Sequence, residues 1–338
     1  MINLYLCIPK EGPNEMEKTG TATVVKNAGS HYLLSELPLW QPFPAVLQGR
    51  VRLRAGSSTN PVAVGDRVRF RMEGGSATPE HPAVISEILE RRNHVKRRAT
   101  NLSRTSHVIA ANVDRAFIVT TLYFPEVKLA FLDRVLVTCE VYGIPATIVL
   151  NKCDLLKDLG DPSLTEELDR QRAGFHRIYE GAGYPVLETS AKTGEGIEAL
   201  REACRDKVTL FSGESGVGKS SLVHALDPSL DPKVGRISEA HLQGRHTTSL
   251  YEMYPLACGG YVIDSPGLRG FGLAELEKEE IGLYFPEMLR LSAACRFTPC
   301  THTHEPGCAV KAALERGELS PERYRSYLGM LEEDRKFR

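Results

Sequence analysis

The chain has 338 residues, of which 42% are hydrophobic and 25% charged, and its formal net charge is −1 at pH 7. Those values fit a globular protein of two or three domains and exclude a disordered polyelectrolyte, and no apolar run is long enough to cross a bilayer as a helix. The charge is unevenly spread: residues 1–110 hold 15 Lys+Arg against 9 Asp+Glu, and the rest of the chain 27 against 34, so a polyanionic partner is expected of the N-terminal third.

Residues 1–18 carry Pro9, Gly12 and Pro13 and read as a loose leader, without the basic start of a secretory signal. From Thr19 to about Arg92 the signals are short strands and turns: Thr21 to Lys26, His31 to Leu34, Ala45 to Leu53, Val62 to Met72 and Val84 to Leu89. Arginines alternate with apolar residues in Arg50-Val51-Arg52-Leu53-Arg54 and again in Arg67-Val68-Arg69-Phe70-Arg71. Period two places the arginines of each strand on one face. About five such strands predict a small β-barrel of the oligonucleotide-binding (OB) type, with a basic face toward nucleic-acid phosphates. Arg91-Arg92 and Lys96-Arg97-Arg98 read as a basic linker closing this domain at residue 98.

Beyond it, apolar strands alternate with helical spacings. Strands are expected at Ala116 to Thr120, Ala146 to Leu150, Pro185 to Glu188 and Val208 to Phe211, and helices at Lys128 to Tyr142, Ser163 to Ala182 and Gly196 to Asp206. This order predicts a parallel sheet covered on both faces, spanning residues 99–272.

The chemistry is concentrated at its loops. Gly213-Glu214-Ser215-Gly216-Val217-Gly218-Lys219-Ser220 lies between a strand and a helix that opens with Ser221. Its backbone N–H groups would cradle phosphates, Lys219 would reach the terminal phosphates and Ser220 would bind Mg²⁺. Asn151-Lys152-Cys153-Asp154 follows an earlier strand. The Asp154 carboxylate can accept both N–H donors of guanine's Watson–Crick edge, which adenine does not offer. Thr189-Ser190-Ala191-Lys192 follows the next strand, where the backbone of Ser190 and Ala191 can donate to the guanine carbonyl and Lys192 can cover the base. Asp264 and Gly267, in Asp264-Ser265-Pro266-Gly267, would meet Mg²⁺ through water and the γ-phosphate. In Gly244-Arg245-His246-Thr247-Thr248, Thr247 or Thr248 completes the Mg²⁺ shell, and the sequence does not choose between them. Leu268 stands where Ras-like GTPases carry a water-orienting glutamine. His246 is therefore the candidate to position the attacking water, with Lys219 as its catalytic partner.

The C-terminal segment 273–338 holds Cys295-x₄-Cys300-x-His302-x₅-Cys308. Three thiolates and an imidazole fit one closed, structural Zn²⁺ site, with His304 as the competing imidazole. Ala309 to Arg316 and Pro321 to Lys336 read as helices packing on it, in a small segment with little core to which metal would supply folding energy. The remaining cysteines, Cys7, Cys139, Cys153, Cys204 and Cys258, read as packing residues in a reducing cytoplasm.

Base-recognition loops that precede the phosphate loop resemble a circularly permuted GTPase. With a basic barrel before them and a Cys/His group after them, the chain resembles the RsgA (YjeQ) family of ribosome small-subunit-dependent GTPases, over nearly all of residues 19–338. Val108-Ile109-Ala110-Ala111-Asn112-Val113-Asp114 and Gly244-Arg245-His246-Thr247-Thr248 also look like that family. The resemblance implies a cytoplasmic protein, expected as a monomer without membrane contact, that binds GTP, GDP, the small ribosomal subunit and its rRNA late in subunit maturation. It implies GTP hydrolysis stimulated by the subunit, and it favours His302 over His304 as the zinc ligand.

Overall fold

The computed structural model describes residues 17–49, 61–98, 106–157, 162–230, 251–264 and 276–336. Among these residues, five strands close a barrel: β1 (Lys18–Asn27), β2 (His31–Ser35), β3 (Phe43–Leu47), β4 (Arg67–Met72) and β5 (Ala83–Ile88). Their order is β1-β2-β3-β5-β4 with β4 returning to β1, and only β3 and β5 run parallel. Strand β4 alternates exposed arginines with buried Val68, Phe70 and Met72, so the period-two pattern expected from sequence is the pattern observed. Phe70 and its neighbours Val24, Leu34 and Ile85 fill the interior. The strand expected over 62–72 begins only at Arg67, and the Arg50 to Arg54 alternation lies outside the described residues.

The basic linker requires correction. His94–Arg98 forms a strand, β6, paired with β7 (Ser106–Ala111). Arg91 and Arg92 are committed to carboxylates: Arg91 Nε is 2.6 Å from the fully buried Asp66, and Arg92 is 2.6 Å from Asp114. Each cation fixes the chain between barrel and sheet instead of leaving it free.

Strands β8 (Arg115–Thr120), β9 (Ala146–Leu150), β10 (Val186–Glu188), β11 (Val208–Gly213), β12 (Tyr251–Pro255) and β13 (Tyr261–Asp264) form the central sheet. Their order is β10-β9-β8-β11-β13-β12, parallel except for β12. The apolar runs of β8 and β9 are buried throughout, as a sheet covered on both faces requires. Helices α1 (Leu129–Val141) and α2 (Pro162–Ala182) contribute Leu136 and Tyr179 to the core on one face. Helices α3 (Ile197–Cys204) and α4 (Lys219–Leu226) contribute Leu200 and Leu222 on the other.

Strand β1 belongs to both sheets. Its pairing with β2 shifts between Val24 and Lys26, and past that bulge Lys26 and Asn27 pair with Glu252 and Tyr251 of β12. Lys26 Nζ also lies 2.9 Å from the Glu252 carboxylate, and Trp40 of the barrel stacks on Tyr261 at 5.7 Å. The barrel is thus docked against the edge of the central sheet.

The C-terminal part contains α5 (Lys278–Ile281), α6 (Pro286–Ser292), α7 (Ala309–Glu315) and α8 (Pro321–Lys336). Its core, built on Phe285, Met288, Val310 and Tyr327, includes Val137 of α1, so the two domains share a helix. Arg323 of α8 is buried at this joint, 2.7 Å from Asp133 of α1 and 2.6 Å from Glu287 of α6. Its guanidinium also lies 4.6 Å from the Phe285 ring centroid. Burial raises the Asp133 carboxyl above its ordinary range and the guanidinium opposes that shift.

Candidate functional site

The site lies at the C-terminal ends of the parallel strands, where such sheets bind ligands. Two glycines set the phosphate loop. Gly213 has φ +149°, and a Cβ there would meet the Val119 carbonyl at 2.1 Å. Gly218 has φ +96°, and a Cβ there would meet the Asn151 amide at 2.4 Å. Only glycine allows both the backbone shape and the close approach. Ser215 and Gly216 are exposed, Val217 is buried beneath them, and Ser220 and Ser221 start α4 with exposed side chains. Lys219 Nζ donates to the carbonyls of Gly213 at 2.9 Å and Glu214 at 2.6 Å, which folds it back over the loop. The Glu214 carboxylate pairs with Lys128, the residue that precedes α1, at 3.1 Å.

The residues that the sequence singles out for base contact are tied to this loop. Asn151 Nδ2 donates to the Val217 carbonyl at 2.8 Å. Its Oδ1 accepts from the Thr189 hydroxyl at 3.2 Å and the Ala191 N–H at 3.4 Å. Lys152 takes a left-handed backbone, φ 64°, and its Nζ donates to the carbonyls of Phe124 at 2.6 Å and Gly216 at 2.7 Å. Its stem is thereby stretched along the cleft. The Ser190 hydroxyl donates to Asp154 Oδ1 at 2.7 Å and itself accepts from the Thr193 N–H at 3.1 Å. This leaves the Asp154 carboxylate fixed in direction, with its other oxygen able to accept. Lys192 is exposed at the rim.

Asp264 is the last residue of β13, one position beyond the Leu210–Ile263 pair and so beside the phosphate loop. His246, Thr247, Thr248 and Gly267 lie outside the described residues. The structure thus brings together Asn151, Lys152, Asp154, Ser190, Ala191 and the 213–221 segment. The hydroxyl of Ser190 as a brace for Asp154, the Phe124 carbonyl as an anchor for Lys152, and the Lys128–Glu214 pair are contacts that the sequence reading missed. No local pattern announces them, because each partner comes from a different loop.

A second cluster joins Cys295, Cys300, His302 and Cys308, whose donor atoms all lie within 4.8 Å of one another. His302 Nδ1 is 3.7 Å from Cys295 Sγ and 3.4 Å from Cys308 Sγ, and the two sulfurs are 4.0 Å apart. A tetrahedral ion with metal–sulfur bonds of ~2.3 Å and a metal–nitrogen bond of ~2.0 Å requires edges of roughly 3.5–3.8 Å, so the group fits a four-coordinate metal. Burial holds His302 below its ordinary value and so keeps its imidazole in the neutral form that ligates metal, while burial raises the Cys300 thiol, whose proton a bound cation would displace. Despite the cost of its burial, hydrogen bonds from the Thr301 hydroxyl and the N–H groups of Thr301 and Thr303 hold Glu305 at about 2, which freezes the loop. The Tyr324 hydroxyl donates to the His302 carbonyl at 2.7 Å. His304 is exposed, with Nδ1 on the Thr303 hydroxyl at 2.9 Å, and stands outside the group. Cys139, Cys153 and Cys204 are buried in the cores and Cys258 is half-buried.

A family model described as RsgA GTPase matches residues 88–274. A Bacteroides fragilis protein named small ribosomal subunit biogenesis GTPase RsgA is 45% identical over 310 residues, 92% of this chain and 96% of the relative. The crystal structure of YjeQ from Thermotoga maritima matches with a TM-score of 0.74 and 31% identity, over 94% of this chain and 98% of its own. YloQ, described as a circularly permuted GTPase, matches with a TM-score of 0.71 and 28% identity, over 95% of this chain and 96% of its own.

Proposed function

The chain belongs to the RsgA GTPase family, and on that basis we propose that it binds the small ribosomal subunit and hydrolyses GTP to GDP and phosphate during late subunit maturation. The observation that carries the reading is the Asn151 amide, which holds the guanine-side turn, the 189–191 loop and the phosphate loop in one bonded unit. A site that must read base and phosphates together needs that rigidity.

In this reading Asp154, braced by the Ser190 hydroxyl, accepts from the guanine edge. The Ser190 N–H is taken by the Glu195 carbonyl at 2.9 Å, so the Ala191 N–H, held only at 3.4 Å by Asn151 Oδ1, is the donor offered to the guanine carbonyl. Lys152 and Lys192 cover the two faces of the base. The N–H groups of 214–221 cradle the phosphates. Lys219 swings from the carbonyls of Gly213 and Glu214 to the terminal phosphates. Ser220, Asp264 and either Thr247 or Thr248 supply hard oxygen donors suited to Mg²⁺, which when bound neutralises charge at the β- and γ-phosphates. Gly267 meets the γ-phosphate through its N–H, and His246 orients water. Cys295, Cys300, His302 and Cys308 hold one structural zinc, the ion whose soft, four-coordinate preference suits three thiolates and an imidazole.

The barrel contacts rRNA through the exposed Arg67, Arg69 and Arg71 of β4. Glu87 and Glu17 lie 2.8 and 3.7 Å from two of these arginines, so contact with the RNA backbone exchanges those partners for phosphate. The protein acts in the cytoplasm as a monomer. The domain divisions proposed with this reading fall at residues 18, 98 and 272, the second at the end of β6 and so inside the β6–β7 pair.

The test is GTP turnover by the purified chain with and without small subunits. Stimulation by small but not large subunits is expected, and Asp154→Asn is expected to move preference from guanine to xanthine nucleotides. Equal turnover with either subunit would remove the ribosomal assignment.

A further inference from the structure

Between Cys295 and Cys300, the residues Arg296, Phe297, Thr298 and Pro299 are all exposed. Phe297 keeps 45% of its surface in water. Exposed rings occur singly on many proteins and mean little alone. This one is different because the Arg296 guanidinium carbon lies over it, 5.6 Å from the centroid. The arginine stem is itself seated. A Cβ on Gly307, which has φ +70°, would lie 3.2 Å from the Arg296 Cβ, and the Arg296 N–H donates to the Gly307 carbonyl at 3.2 Å.

The loop beneath is held on several sides. The Thr301 N–H donates to Glu305 at 2.7 Å, and the Tyr327 hydroxyl donates to the Thr301 carbonyl at 2.6 Å. The ordering entropy of the pair is therefore largely spent on folding rather than on binding. A flat π-surface joined to a cation, presented on a rigid loop, matches a nucleobase and its phosphate together. An apolar protein surface would bury the ring only by stripping water from the guanidinium. A base paired in a helix shows no free face, so the matching partner is an unpaired one.

We propose that Arg296 and Phe297 form a stacking platform for an unpaired nucleobase of the small-subunit RNA, an inference that rests on the ribosomal reading above. Phe297 supplies the stacking face and Arg296 the charge. The platform adds a base contact to the backbone contacts of the barrel.

The experiment uses the full-length, metal-loaded protein and purified small subunits. Affinity is measured for the parent, Phe297→Leu and Phe297→Trp, with metal content and GDP affinity as controls of folding. Stacking predicts a roughly 5- to 150-fold loss in Phe297→Leu. Phe297→Trp is expected to retain affinity, and nuclease protection of at least one unpaired nucleotide should vanish in the leucine variant alone. If Phe297→Leu binds as the parent does while the parent binds tightly, the platform is wrong and the ribosomal reading stands. That result fits either an apolar contact with a ribosomal protein or no contact at all, and each overturns the platform. A parent that binds no small subunits would remove both readings.

Discussion

The side-chain amide of Asn151 and the backbone carbonyl of Val217 are 2.8 Å apart, bonded across 66 residues of sequence. Asn151 is buried, so the bond is not exchangeable with water at low cost. Asn151→Ala leaves the Val217 carbonyl, the Thr189 hydroxyl and the Ala191 N–H without this partner. GDP affinity is expected to fall by about 1–3 kcal/mol, the cost of unpaired buried polar groups. Calorimetric titration checks it, and affinity within twofold of the parent would show that the turn and the phosphate loop hold their positions independently.

Where α1, α6 and α8 meet, Arg323 pairs with Asp133 and Glu287 with all three side chains buried. Arg323→Ala strands two buried carboxylates. The expected loss is about 3–5 kcal/mol of unfolding free energy, read by denaturant titration of the metal-loaded protein. A triple variant, Arg323→Met with Asp133→Asn and Glu287→Gln, is expected to recover part of it. A loss below about 1 kcal/mol in Arg323→Ala would mean that water reaches the joint.

What could be read from the sequence and what could not divide along physical lines. The Arg67 to Arg71 alternation was legible because a strand's period is local. The fully buried runs of β8 and β9 were legible for the same reason. Strand β6 reads as a linker because Lys96, Arg97 and Arg98 dominate it, and the fully buried Val95 is a weak signal among them. The β1–β12 joint has no local trace, since it depends on a bulge and on residues far apart in the chain. Arg323 looks like any surface residue of a polar helix until α1 is packed against it. In the candidate nucleotide site the spacing singled out residues that the fold brings together, but the Ser190 brace on Asp154 was not legible, because serine is common in loops.

The cluster near the C-terminus separates two histidines by structure. His302 is buried with Nδ1 facing two sulfurs, whereas His304 is exposed and bonded to Thr303. Elemental analysis is expected to find one zinc per chain in the parent and in His304→Ala, and less than one in His302→Ala. Chelation is expected to loosen the segment after residue 276 while GDP binding persists, because the phosphate loop rests on a separate core that includes Val149, Val217 and Leu222. Hydrogen exchange reads the first effect and titration the second. Retained zinc in His302→Ala would reassign the imidazole ligand.

Strand β4 offers a graded test of RNA contact. Arg67, Arg69 and Arg71 are exposed, and replacing all three by Glu leaves Val68, Phe70 and Met72 in the barrel core. Affinity for small subunits is expected to drop, and the slope of log affinity against log salt to flatten by about 0.7–0.9 per lost phosphate contact. GDP affinity should not change. An unaltered salt slope would place the RNA contact on another face.

Hydrolysis itself turns on a residue the sequence makes conspicuous. Leu268 follows Gly267 directly and has no polar atom to orient water. Phosphoryl transfer needs positioning of the nucleophile more than covalent chemistry from the protein. The isolated chain is therefore expected to turn over slowly, on the order of 10⁻⁴ to 10⁻² s⁻¹. His246 lies between the phosphate loop and Asp264 in sequence and carries an imidazole able to hold water by hydrogen bonds. His246→Ala is expected to lose most of the subunit-stimulated rate while GTP affinity and subunit binding persist. Lys219→Ala should instead lose nucleotide affinity, because its ammonium belongs to the phosphate loop. The comparison is made by single-turnover hydrolysis at saturating small subunit. A His246→Ala variant stimulated as strongly as the parent would exclude this role and assign water positioning to a ribosomal group or to another residue of the switch segments.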